Sequence, residues 1–136
     1  MAIKMVHHVC IQTEKYKESL DFYNKILGFE IINVSENFHN RKYNTWLKLG
    51  DFMIELQTPK VGDKFDKWSN LNSGPVHMGF LVENVEHEYE RIKNLGYTDF
   101  KVKNGEVRLR VMTIRHSTLV VSWYEGVYHK VSVEEK

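Results

Sequence analysis

The chain is poor in the residues that staple or interrupt a fold: its 136 residues hold one cysteine, Cys10, and two prolines, Pro59 and Pro75. A single thiol excludes an internal disulfide framework and any zinc site built from several thiolates. Net charge is equally scarce. Against 19 Lys and Arg stand 18 Asp and Glu, for a balance of +1, and no window carries a long run of one sign, so neither nucleic acid nor an anionic membrane is the expected partner. No segment approaches the roughly 20 consecutive apolar residues that span a bilayer. The opening stretch MAIKMVHHVC lacks the apolar core of a signal peptide, and the expectation is a cytoplasmic protein. What the chain does have is 42% hydrophobic residues, 12% of all residues being aromatic, and seven histidines. That supply builds one domain with a core, but not two ordinary domains.

Two segments share a plan. In each a histidine-led strand runs into an amphipathic helix that stops at Leu-Gly before an aromatic residue. HHVCIQ (7–12) precedes Thr13 as N-cap, and Tyr16, Leu20, Tyr23 and Leu27 form a stripe that ends at Gly28. HMGFLV (77–82) precedes Asn84 as N-cap, and Val85, Tyr89, Ile92 and Leu95 form the stripe that ends at Gly96. The register nearly matches, with His8 20 residues before Gly28 and His77 19 before Gly96. Three strand-like stretches follow each helix: FEIINV, YNTWLKL and FMIELQ, then YTDFKV, VRLRVMTI and TLVVSWY. The expected fold class is therefore α+β, with two βαβββ modules forming a concave, partly open sheet and helices on the outer face. A single domain over 1–136 divides into module one at about 1–58, a connection at 59–75, module two at about 76–126 and a tail at 127–136. KLGD (48–51) and AsnGly (104–105) read as tight turns. Both prolines fall in the connection, whose Phe65 and Trp68 argue that it packs down. The tail either adds an edge strand or frays.

The period of two along a strand assigns faces. Met78, Phe80 and Val82 suit the helix side, which turns His77 toward the other side. Val9 and Ile11 do the same for His8, Cys10 and Gln12, with His7 facing away from His8. Phe52, Ile54 and Leu56 send Met53, Glu55 and Gln57 to the side of His8. A carboxylate between apolar strand residues needs a partner. Two imidazoles and one carboxylate at repeated places make His8, Glu55 and His77 a candidate site for one divalent ion of the borderline class: nickel, zinc, manganese, cobalt or Fe(II). The competing reading makes the histidines hydrogen-bonded rim residues and pairs Glu55 with a lysine.

HHVCIQTEKYKESLDFYNKILGFEI, WLKLGDFMIELQTP and GPVHMGFLVENVEHEYERIKNLGY together resemble the vicinal oxygen chelate superfamily, which includes glyoxalase I, methylmalonyl-CoA epimerase, extradiol dioxygenases and the fosfomycin and bleomycin resistance proteins. The resemblance extends to about residue 126 and implies the fold more sharply than the reaction. In the glyoxalase and epimerase type it implies four metal ligands, the first three of which fall on His8, Glu55 and His77, with Glu55 also catalytic. The fourth position departs from that pattern. Glu55 lies 27 residues after Gly28, and the same step from Gly96 reaches Trp123. Alternation turns Val120, Ser122 and Tyr124 to the site side, so Ser122 takes the ligand position unless a bulge rotates Glu125 inward. Tyr124 is then a candidate replacement acid.

The remaining candidates are substrate-contacting residues: Ser122, Tyr124, Trp46, and Arg108 and Arg110, which alternate along one face and either hold an anionic group or line a solvated edge. Cys10 reads as a buried, inert thiol, and His39, His116 and His129 receive no role. The resemblance implies a homodimer and a small-molecule ligand. The leading functional expectation is a metal-dependent lyase or isomerase of the glyoxalase type, acting on a small carbonyl or vicinal-oxygen compound. The alternatives are a non-catalytic protein that sequesters an antibiotic or metabolite, and an Fe(II) extradiol-type dioxygenase built on the two-histidine, one-carboxylate set.

Overall fold

The computed structural model describes residues 2–66, 71, 73–75, 77–95, 107–113, 117–122 and 131–135. Two compact units emerge, Met1–Asp66 and Lys67–Lys136, each carrying a four-stranded sheet. None of the described helices is long and apolar enough to cross a membrane.

In the first unit β1 (His8–Gln12), β2 (Glu30–Phe38), β3 (Arg41–Leu49) and β4 (Phe52–Gln57) assemble in the order β1-β4-β3-β2. β1 runs parallel to β4, a pairing that needs a crossover, and the helical segment after β1 supplies it. The other pairs are antiparallel hairpins. The β3–β4 turn falls at KLGD as its residues predict, with Gly50 at φ 58°. The β2–β3 turn carries no Gly: His39 and Asn40 both adopt positive φ, 48° and 61°, the conformation that a two-residue hairpin loop of matching twist requires. His39, without a role on sequence grounds, is thus a turn residue. Between Ile31 and Asn33 the β2 register slips by a bulge.

The helical crossover differs from the expected stripe. α1 covers Tyr16–Asp21 and continues as a π-helical turn over Phe22–Ile26, where the Leu27 N–H donates to the Phe22 carbonyl at 3.0 Å. Tyr16, Ser19, Phe22, Tyr23 and Ile26 are buried, whereas Leu20 and Leu27 are half-buried. Thr13 is not the N-cap; Lys15 occupies that position, and the Thr13 hydroxyl accepts from the Lys15 backbone N–H at 2.9 Å. Gly28 ends the segment at φ 82°, with the Phe29 N–H returning to the Tyr23 carbonyl.

The core of this unit lies between that segment and the alternate residues of the sheet. Leu47, Ile54 and Leu56 are fully buried, Ile11 nearly so. Tyr16 stacks on Tyr43 at 4.5 Å and its hydroxyl hydrogen-bonds the buried Thr45. Phe29 meets Tyr23 and Phe52 edge-on. Arg41 ties the open end of the sheet by donating to Gln12 Oε1 at 2.8 Å and to the Thr58 carbonyl at 2.7 Å. Beyond β4, Lys60 bridges back to Arg41 and the Phe65 N–H donates to the Glu14 carboxylate. Trp68 lies outside the described residues.

In the second unit β5 (His77–Leu81), α2 (Val85–Asn94), β6 (Val107–Thr113), β7 (Ser117–Ser122) and β8 (Val131–Glu135) give a sheet ordered β5-β7-β6-β8. Asn84 caps α2 as expected, its Oδ1 accepting from the His87 N–H at 3.0 Å, and Ile92 is fully buried. The tail supplies β8, which pairs parallel to β6. β6 is consequently an interior strand, so Arg108 and Arg110 do not occupy an edge; their register partners on β8 are Ser132 and Glu134. The stretch YTDFKV, the AsnGly turn, Gly96, Trp123, Tyr124 and Glu125 lie outside the described residues.

Candidate functional site

The alternation read from β1 and β4 holds in the first unit. Register partners Cys10 and Glu55, and on the other side Glu55 and Trp46, share one face of the sheet, opposite the buried Ile54 and Leu56. This face is polar and more accessible: His8, Cys10 and Gln12 are exposed, and Met53, Glu55 and Gln57 are half-buried.

Glu55 finds the partners that a half-buried carboxylate requires; among the described residues no lysine hydrogen-bonds it. Asn44, which is 3% exposed, donates from Nδ2 to Glu55 Oε2 at 3.3 Å, and the Cys10 thiol hydrogen-bonds the same carboxylate. Asn44 sits on β3 two residues before Trp46, on the same face. Sequence reasoning missed it, although the period of two would have found it once Trp46 was assigned to that side. A carboxylate between an amide donor and a thiol donor is fixed in direction.

Cys10 departs from the expected buried thiol, for it is exposed. Partial burial nonetheless pushes its thiol up to about 11; the hydrogen bond to Glu55 and that residue's charge add to the effect, and Arg41 opposes it. Cys10 therefore stays a protonated donor beside Glu55 at neutral pH.

His8 leans across β4 onto Trp46, with ring centroids 4.7 Å apart and the planes at 74°. His7 corrects the sequence reading. Instead of facing away, its Nδ1 lies 2.8 Å from Nδ1 of His8, and its ring reaches Trp46 at 6.5 Å. The reason is that β1 begins at His8, so strand alternation does not govern residue 7.

His77 opens β5 in the other unit, where its register partner on β7 is Ser122. The position that the resemblance offers for a fourth ligand is thus the register position opposite His77 on the ladder. Among the described residues no group of three or more His, Cys, Asp or Glu side chains is gathered to hold a metal ion. In the first unit the arrangement offers one imidazole and one anchored carboxylate, a donor chemistry that suits a borderline divalent ion.

Comparison with known proteins agrees with this architecture. The family model described as the glyoxalase/bleomycin resistance protein/dioxygenase superfamily matches residues 5–115. A lactoylglutathione lyase of Escherichia coli O157:H7 is 24% identical over 135 residues, covering 95% of this chain and 91% of the relative. Among solved structures, a glyoxalase family protein from Enterococcus faecalis superposes with a TM-score of 0.65 at 24% identity, covering 99% of this chain and all of that one. The protein designated SMU.1112c gives 0.64 at 25% identity, with 98% and 99% covered.

Proposed function

We propose, from the premise that this chain belongs to the glyoxalase/bleomycin resistance protein/dioxygenase superfamily, that it is a metal-dependent lyase or isomerase acting on a small carbonyl or vicinal-oxygen compound. The observation that carries the reading is Glu55: a carboxylate held by Asn44 and Cys10 on the face that also bears His8. On this reading His8, Glu55 and His77 hold one divalent ion. Such an ion, when bound, acts as a Lewis acid toward adjacent substrate oxygens.

The protein's own groups do the rest. Trp46, against which His8 packs, is an apolar wall for the substrate body and limits the water that reaches the reacting carbon. Glu55, half-buried, is the group that moves the proton at the carbon next to the carbonyl. Asn44 keeps one carboxylate oxygen engaged, so the direction in which the other points is set before substrate arrives. The chain pairs as a homodimer in this reading.

Elemental analysis tests the assignment. Native protein is expected to carry about one divalent ion per chain, lost in His8→Ala, Glu55→Gln and His77→Ala, with turnover of ketoaldehyde adducts lost alongside. Unchanged metal in His77→Ala would refute the three-ligand site.

One observation favours a second reading. Ser122 stands opposite His77, where a glyoxalase-type site has its second carboxylate, and a cleft lacking that group suits a protein that sequesters an antibiotic or metabolite without chemistry. Thermal shifts produced by such compounds in metal-free protein, with no turnover of any ketoaldehyde, would select it.

A further inference from the structure

We propose that His7 is a positioning residue that sets the tautomer of His8, keeping the proton of that imidazole on Nδ1 so that Nε2 presents its lone pair to a divalent cation. The two Nδ1 atoms lie 2.8 Å apart, inside hydrogen-bond distance. A neutral imidazole has one N–H and one bare nitrogen, so one of these two atoms carries the proton and the other accepts it. Two neutral rings make this hydrogen bond in only two arrangements. If His7 donates, Nδ1 of His8 is the bare nitrogen and its Nε2 is protonated and unable to ligate. If His8 donates, its Nε2 is bare and points a lone pair away from the His7 contact. The second arrangement is the one that makes His8 a ligand, and the hydrogen bond made by one ring nitrogen is what decides the state of the other.

Neighbouring contacts keep the pair together although both residues are exposed. Trp46 lies edge-on to both rings, at 4.7 Å from His8 and 6.5 Å from His7. Trp46 is also the register partner of Glu55. The ring that fixes the histidine pair is therefore anchored to the strand position beside the carboxylate. His7 itself touches neither substrate nor metal in this arrangement; it acts through His8.

The consequence for metal binding rests on the proposed role of His8, but the tautomer does not, and the experiment separates the two. Long-range proton–nitrogen correlation spectra of metal-free protein labelled with 15N-histidine are expected to show His8 protonated on Nδ1. His7→Ala should lose that preference. His7→Asn should retain it, because the asparagine Oδ1 is bonded at the same remove from the backbone as histidine Nδ1 and can accept the same proton.

Titration with Ni2+ and Co2+ supplies the second readout. His7→Ala should weaken binding by about 10- to 100-fold and His7→Asn should restore it, with circular dichroism confirming that both variants are folded. A His8 protonated on Nε2 in the unaltered protein would overturn the proposal, as would equal ion affinity in the Ala and Asn variants. If the unaltered protein binds neither ion, or binds them undiminished in His8→Ala, the metal-site reading fails and the spectra alone decide the role of His7.

Discussion

Asn44 offers the sharpest test of how the Glu55 carboxylate is held. Its side chain is 3% exposed and its amide reaches Glu55 Oε2 at 3.3 Å. Asn44→Ala removes a hydrogen bond to a charged group, worth about 1.5–3 kcal/mol. Asn44→Asp keeps the shape and replaces the donor with a second carboxylate. Two unit charges at 3.3 Å repel by about 5 kcal/mol at an effective dielectric of about 20. Water at the half-buried Glu55 keeps the cost well below that ceiling.

The two variants separate by pH. In folded Asn44→Asp the carboxylate pair retains a proton that the unfolded chain has already released, so the folded state binds more protons and stability falls as pH rises. Urea unfolding at pH 7 and about pH 4.5, each referred to the unaltered protein, is the assay. The deficit of Asn44→Asp should shrink on acidification, whereas that of Asn44→Ala should change little. An Asn44→Asp deficit that is flat in pH, or an Asn44→Ala variant within about 0.5 kcal/mol of the parent, a typical surface effect, would refute the view that Asn44 holds this carboxylate.

The Cys10 thiol, pushed up to about 11, should alkylate with iodoacetamide about 10-fold more slowly at pH 8 than an unperturbed thiol, because the greater nucleophilicity of the more basic thiolate offsets part of its about hundredfold smaller thiolate fraction. The unfolded thiol ionises first, so between pH 9 and 11 the folded state holds the extra proton and stability falls as pH rises. Glu55→Gln should bring the alkylation midpoint only part of the way down, because burial is the largest cause; a midpoint already at pH 9 in the parent would contradict the geometry. In the core, Leu47→Ala should cost about 2–5 kcal/mol, since Leu47 is fully buried. The same change at Ile32, 49% exposed in the β2 bulge, should cost far less, and equal shifts in urea midpoint would show the burial assignment to be wrong.

Local chemistry made a good part of this molecule legible. Alternation along FMIELQ and HVCIQ divided β4 and β1 into a buried face and an accessible one, because a strand side chain has only two directions to choose between. Gly28 stopped the first helical segment because a left-handed residue costs glycine least, and Asn84 capped α2 because its short side chain reaches the first free N–H groups. These features depend on neighbours in the chain, and so the chain displays them.

Other features depend on neighbours in space. The segment ends in a π-helical turn at Phe22–Ile26 that buries Phe22, Tyr23 and Ile26, and Tyr23 meets Phe29 edge-on; the stripe it buries is shifted by one residue from the one read in the sequence. The tail VYHKVSVEEK, which by sequence either adds an edge strand or frays, supplies β8 because β6 offers it a ladder to pair with. His7 turned toward His8 because the ladder that enforces alternation starts one residue later. Asn44 acquired its role only when β3 was set beside β4 in the register that brings its amide to Glu55. By itself the sequence determined which residues alternate, where the helices stop and which side chains have the chemistry to ligate. The tertiary structure decided how those side chains are held, because a hydrogen bond between residues 11 positions apart exists only after the strands have paired.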